Sequence, residues 1–520
     1  MVKKEKKVKS EIKTDEKLKV KKNEDVKEKR LRRDKKPSAK ADGVFLRACE
    51  ARSKKSGKAA EKFLLRSEKD IVRYIEKSQR GFANEQQAEL HRELLKIASL
   101  QNPDADWVNL DNAAMIFPAT DSADINGMFR LSAILNEKID PKRLQRALNN
   151  TVRRFPTIAA AIKRGMFWFY LEPSTYPVVV EEEKLFPCTR IPMDSRHSCI
   201  RVTYYDYRIS VDFFHAVTDG NGGMVFLNTL VGAYLRLGGE KITPSGNYLD
   251  DRDKPRKEET VDSFQSIADF KTKSNHKDVV SFEIPGERLN NYSLVVVNGS
   301  VDSEKLKQVA KAHDATVGQY LTAALIWAIE EDRRFYGYDK KRPVVVSVPS
   351  NLRKFYPSPT VRNFIYVMSI HGTGNTDFDE ILKKVKTQFG EQNNLDFFVG
   401  LVNFNVKSQK NFFLKICPLF LKNMVLKLFY KKKGSRARTS TVSNLGQVKT
   451  PKEFLDHVVR YEFILGPQER EMVSFSCCSY NGNTVISASR TIKEKSVVKL
   501  FFDRLVADGL DVVVDTNCEV

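Results

Sequence analysis

The stretch Arg208-Ile209-Ser210-Val211-Asp212-Phe213-Phe214-His215-Ala216-Val217-Thr218-Asp219-Gly220-Asn221-Gly222-Gly223 runs from a strand pattern into a glycine-rich turn, with a histidine at the junction. Ile209, Val211, Phe213 and His215 alternate onto one face, as residues of a pleated strand do. The preceding Arg201 to Tyr205 has the same character and forms its hairpin partner around an Asp206-Tyr207 turn. After His215 the glycines permit a sharp reversal and close backbone approach. A helix is expected from about Met224 to Leu237, apolar at Val225, Phe226, Leu230, Val231 and Tyr234, and ended by Gly238-Gly239. The unit therefore puts His215 at the end of a buried strand, beside a tight loop.

A related unit occurs twice. Ile139-Asp140-Pro141-Lys142-Arg143-Leu144 and Val301-Asp302-Ser303-Glu304-Lys305-Leu306 each follow a strand-like stretch, Phe129 to Leu135 and Ser293 to Val297. Each places Asp at the N-cap and Pro or Ser at the first helical position. Two such units suggest a duplicated architecture with a cleft between the halves. Strand–cap–helix units are also common in any α/β protein. The charge-dense stretch within residues 241–278 reads as the linker between halves.

The chain has 520 residues and 41% hydrophobic content, enough for more than one domain and a large core. Residues 1–40 hold 18 Lys/Arg against 8 Asp/Glu, so +10 of the net +22 belongs to them. They are poor in aromatics and read as a disordered tail. The mixed signs favour a solvated extension over an arm for nucleic acid or anionic membranes. Residues 41–102 read as an accessory helical segment, with Phe63, Leu64, Ile71, Tyr74 and Ile75 at helical spacing. No apolar run follows the N-terminus, none of the seven cysteines has C-x-x-C spacing, and Cys477-Cys478 are adjacent. The expectation is a reduced, cytoplasmic protein.

Phe214-His215-Ala216-Val217-Thr218-Asp219-Gly220 resembles the HxxxDG signature of the CoA-dependent acyltransferase superfamily. From about Trp107 onward the chain looks like its bacterial alcohol acetyltransferase-like branch. Further carriers are Arg153-Arg154-Phe155-Pro156, Gly165 to Pro173, Pro349-Ser350-Asn351-Leu352-Arg353, Arg362-Asn363-Phe364 and Ser443-Asn444-Leu445-Gly446. The resemblance implies an α/β (α+β) fold of two chloramphenicol-acetyltransferase-like lobes, residues 103–285 and 286–520, with a tunnel between them. His215 would be the catalytic base, moving an acyl group from acyl-CoA to an alcohol or amine acceptor. Acyl-CoA would be a co-substrate, with no cofactor and no metal. Condensation domains carry a second His before the motif His. Here that position is Phe214, which points to the alcohol-acylating branch; a carrier-protein thioester is the alternative donor.

The resemblance also implies that Asp219 pairs with an Arg, for which Arg353 and Arg362 are candidates, rather than orienting His215. Gly220 reads as a backbone necessity. Ser443 and Asn444 are candidate donors to the oxyanion, or ordinary strand-end residues. Asn351, Arg353, Arg362 and Asn363 belong to loops of the second lobe, where Asn351 and Arg353 line the tunnel or brace the loop, with bracing favoured. Residues 412–430 are apolar, interrupted by Lys415, Lys422 and Lys427, and followed by Lys431-Lys432-Lys433. Packing on the lobe with lysines outward is favoured over peripheral membrane contact. The reading from another class is a non-catalytic protein that binds RNA or anionic membrane through residues 1–40; nucleic acid is not the expected partner.

Overall fold

A computed structural model of the chain describes residues 97, 101 and 107–518, apart from 112, 123–125, 175, 195–196, 270, 273–278, 290–292, 339–340, 412–415 and 431–433. The expected tail 1–40 and almost all of the helical segment 41–102 lie outside the described residues. The compact unit that holds everything below begins at Leu100.

In chain order the strands are β1 (Val108–Asn109), β2 (Met128–Leu135), β3 (Ala160–Arg164), β4 (Phe169–Pro173), β5 (Val180–Glu182), β6 (Ile200–Tyr205), β7 (Arg208–Phe214), β8 (Val295–Asp302), β9 (Val345–Asn351), β10 (Ile365–His371), β11 (Ser440–Gln447), β12 (Val458–Leu465), β13 (Val473–Tyr480), β14 (Asn483–Arg490) and β15 (Val513–Thr516). The helices used below are α1 (Ile116–Thr120), α2 (Pro141–Arg154), α3 (Gly220–Leu237), α4 (Phe264–Ile267), α5 (Ser303–Ala312), α6 (Val317–Phe335), α7 (Phe378–Gln392), α8 (Leu395–Lys410), α9 (Leu419–Phe429) and α10 (Ser496–Ala507).

Two large sheets organise the molecule. One has the order β12-β2-β7-β6-β5 and the other β10-β9-β11-β13-β14-β8-β15; β1, β4 and β3 form a small third sheet. The expected capped helices follow β2 and β8. Asp140 accepts from the amides of Lys142 and Arg143, and Asp302 from that of Lys305. Such caps satisfy amides left open in the first turn and stabilise a helix by about 1 kcal/mol.

The halves of the sequence do not divide cleanly between the sheets. β12 leaves the C-terminal half and pairs antiparallel with β2, Val458–Leu465 against Leu135–Phe129. The expected second lobe, 286–520, therefore gives up one strand to the first sheet. β12 also packs against β13 and β14. On β13 the side chains alternate between two cores: Val473, Phe475 and Cys477 join one, Cys478 and Tyr480 the other. Adjacent Cys477 and Cys478 thus face opposite ways, and burial pushes the Cys477 thiol up to about 12.

The charge-dense stretch read as a linker is pinned to the body instead. Asp251 accepts from Arg236 of α3 at 2.6 Å, and Glu259 accepts two bonds from Arg154 of α2 at 2.6 and 2.8 Å. The arginines that neutralise these carboxylates come from α2 and α3, which composition along the stretch itself does not reveal. Among the described residues no helix is long and apolar enough to cross a membrane.

Candidate functional site

β7 lies between β2 and β6, so its residues are buried on both faces. Phe213 stacks on Phe129 of β2 with ring centroids 5.2 Å apart. The chain leaves the strand after Phe214, and the His215 amide donates to Gly127 O at 2.9 Å. The imidazole is only partly exposed. It stacks on Phe117 of α1 at 4.7 Å, with the planes 13° apart, and meets Phe129 edge-on at 5.2 Å. Two aromatic walls therefore hold the ring and take water away from it.

The second half of the chain supplies the polar contact. Asn363 Nδ2 donates to His215 O at 2.9 Å and to Asp111 Oδ2 at 3.2 Å. A carbonyl oxygen accepts only, so this end of the amide must be nitrogen. Asn363 Oδ1 then faces His215 Nδ1 at 2.9 Å, and that ring nitrogen must carry the proton. The neutral imidazole keeps its lone pair on Nε2. Burial pushes the His215 pKa below its ordinary value, against the opposing pull of its own carbonyl, of Asp219 and of Asn363. Nε2 is thus unprotonated at neutral pH.

Asp111 stands behind Asn363. It is wholly buried, accepts from Ala114 N at 2.8 Å, and lies 3.5 Å from Arg362 Nε. Burial raises its pKa to about 6, while Arg362 and Asn363 pull it down. Phe117 and Asp111 were not legible as site residues in the sequence. Both precede β2, Phe117 on the short helix α1 and Asp111 before it, and only the fold brings one to His215 and the other to Asn363.

Asp219 is fully buried and turned away from the ring. Its Oδ1 accepts from Gly222 N at 2.9 Å, and its Oδ2 from Arg353 Nη1 at 2.7 Å and Phe364 N at 2.8 Å. It caps α3, which begins at Gly220 and not near Met224. The glycines read as a reversal form the first helical turn. They are needed for close approach: a Cβ on Gly222 would overlap Val361 O and Thr218 Oγ1. One on Gly220 would lie 2.7 Å from Leu445 Cδ2.

Arg353 also donates to the carbonyls of Thr360 and Arg362, and Asn351 accepts from Arg353 N at 3.0 Å. Both residues brace the loop 351–364 around the motif. Arg362 is buried and donates to Thr260 O and Asn109 O. Ser443 is buried on β11 opposite Ser476, and Asn444 is exposed, its Oδ1 accepting from Gly446 N at 2.7 Å. Between them and that glycine sits Leu445, the residue that touches Gly220.

No family model and no curated protein sequence matches the chain. Solved structures do. The first condensation domain of the calcium-dependent antibiotic synthetase, in complex with substrate analogue 3a, superposes with a TM-score of 0.53 at 14% identity, covering 79% of this chain and 99% of that one. The fold is that of a condensation domain. The same domain with substrate analogue 2a gives 0.50 at 14% identity over 78% and 96% of the two chains. The trichothecene 15-O-acetyltransferase TRI3 from Fusarium sporotrichioides gives 0.49 at 9% identity, over 77% and 94%. The superposition at 0.53 shows the expected two-lobed, chloramphenicol-acetyltransferase-like architecture. In this fold His215 is walled by Phe117 and Phe129 from the N-terminal half of the chain and hydrogen-bonded by Asn363 from the C-terminal half.

Proposed function

We propose that the chain is an acyltransferase that moves an acyl group from a CoA thioester to an alcohol. The observation that carries this reading is the pair of contacts by which Asn363 donates to His215 O and sets its Oδ1 against Nδ1, an arrangement that puts the proton on Nδ1 and leaves Nε2 free to accept one. In the proposed step Nε2 takes the proton of the acceptor hydroxyl. The oxygen bonds to the thioester carbonyl carbon, and the C–S bond breaks as the tetrahedral intermediate collapses. The imidazolium returns its proton to the departing thiolate, so no covalent enzyme intermediate is needed. General-base help of this kind contributes about 10²–10⁴ in rate. Ser443 is the proposed donor to the oxyanion, being a buried hydroxyl two residues from Leu445, through which its strand reaches the motif.

The HxxxDG resemblance and the condensation-domain fold support acyl transfer, and Phe214 in place of a second histidine supports an alcohol acceptor and free CoA as carrier. A screen of acyl-CoAs against alcohols and amines, read by thiol release, tests it, with acyl-carrier thioesters as a parallel arm. Thiol release with an alcohol that disappears in His215→Ala is the expected result. Turnover of carrier thioesters alone overturns the CoA reading, and turnover unchanged in His215→Ala overturns the base.

A further inference from the structure

The helix α9 departs from the sequence expectation at Lys422, which turns inward, while Lys427 faces outward as expected. Leu419 is buried in the first core, and Lys422 is buried with it. Lys422 Nζ donates to Phe167 O at 2.9 Å and lies 3.3 Å from the centroid of the Trp168 ring. The lysine thus anchors the helix to the β3–β4 hairpin, where Leu419 N also donates to Met166 O at 2.9 Å. The apolar residues point outward instead. Phe420 is 71% exposed, Met424 55%, Val425 60% and Leu428 54%. They fall at helical spacing on one face, with Leu421 beside them. Met166, at the hairpin tip, is 75% exposed and continues the patch.

Neither the hairpin tip, residues 164–169, nor α9 contains an Asp or Glu. The rim of the patch is basic. Lys427 and Arg164 both act on the buried Asp121 of the loop after α1, which Arg190 pairs directly. Apolar surface with a basic rim, whose acidic neighbour Asp121 is withdrawn from solvent and paired by Arg190, is the pattern of a helix lying in the headgroup region of a bilayer. A second copy of the chain fits less well, because a symmetric pairing of this face would set Lys427 and Arg164 near their own kind.

We propose that α9 and the tip of the β3–β4 hairpin form a docking surface for a membrane that carries anionic lipid. α9 packs on α1, and α1 carries the Phe117 that stacks on His215. A docked bilayer would therefore lie beside the helix that walls the imidazole, where a lipophilic alcohol or long-chain thioester dissolved in it could enter. The attachment does not depend on the catalytic reading.

The test is co-flotation of the full chain with vesicles of phosphatidylcholine and phosphatidylserine. The parent chain and His215→Ala are expected to float equally, which separates attachment from chemistry. The double variant Phe420→Asp/Val425→Asp is expected to lose about tenfold or more in vesicle partition. Its thermal unfolding should match the parent, since both side chains are exposed. Lys427→Gln and Arg164→Gln should each weaken binding to the anionic vesicles by about fivefold. Flotation undiminished in the double variant overturns the proposal by assigning the binding to another segment, such as the basic residues 1–40. No flotation by the parent overturns it too, as does a parent dimer in light scattering that the double variant dissolves.

Discussion

Asn363 Oδ1 lies 2.9 Å from Nδ1 of His215, a residue 148 positions earlier in the chain, while its Nδ2 grips the carbonyl of the same histidine. One amide thus reads both the backbone and the ring of His215. It determines which nitrogen carries the proton and which is free to act. Asp111 holds the amide from behind. The arrangement joins the two halves of the chain at the reacting group.

Replacing His215 by Ala should lower thiol release by about 10²–10⁴, with thermal stability little changed. The residue keeps some exposure, and the substitution leaves in place the bond from Asn363 Nδ2 to the His215 carbonyl that ties the two halves together here. Steady-state kinetics beside calorimetry checks both halves of the statement.

The pH profile should show an acid limb below the ordinary histidine range. Burial favours the neutral ring, so activity is full at pH 7 and falls only as pH drops through the lowered pKa. The bond to Asn363 opposes that shift, so Asn363→Ala should move the limb further down. It should also cost about tenfold or more in kcat, because the tautomer is no longer fixed. A limb that moves upward in Asn363→Ala contradicts this account.

Asp219→Ala should destabilise the fold by about 3–5 kcal/mol, because it strips a buried partner from Arg353 and the cap from α3. Asp219 spends its carboxylate oxygens on Gly222 N, Arg353 Nη1 and Phe364 N rather than on the imidazole. In Asp219→Asn the surviving activity should therefore keep a recognisable acid limb. Denaturant titration and a pH profile of that variant provide the check.

Gly222→Ala should cost on the order of 1–3 kcal/mol or more, because its methyl would meet a backbone carbonyl that cannot swing aside. Gly220→Ala meets only the end of the Leu445 side chain and should cost less. Unfolding midpoints of the two variants should fall in that order.

Asp111 gives a stability signature. Its folded pKa of about 6 lies above the ordinary aspartate value, so the folded state holds a proton that the unfolded chain has released. Stability conferred relative to a non-titrating residue is greatest at low pH and falls as pH rises from about 4 to 6. The difference in unfolding free energy between the parent and Asp111→Asn should change by on the order of 3 kcal/mol over that window. Paired melts from pH 4 to 7 measure it.

The local units were legible in the sequence because their causes are local. The alternation of Ile209, Val211 and Phe213, the Asp140 and Asp302 caps and the motif around His215 each rest on neighbours a few residues away. Tertiary structure decided where charges and partners lie. It moved Val458–Leu465 into the other sheet, made the stretch around Glu259 a buried brace, and turned Lys422 inward while the apolar face of α9 turned out. It also placed Phe117 against the histidine and Asp111 behind Asn363. Periodicity reports which residues share a face; which way that face looks depends on what the rest of the chain sets against it.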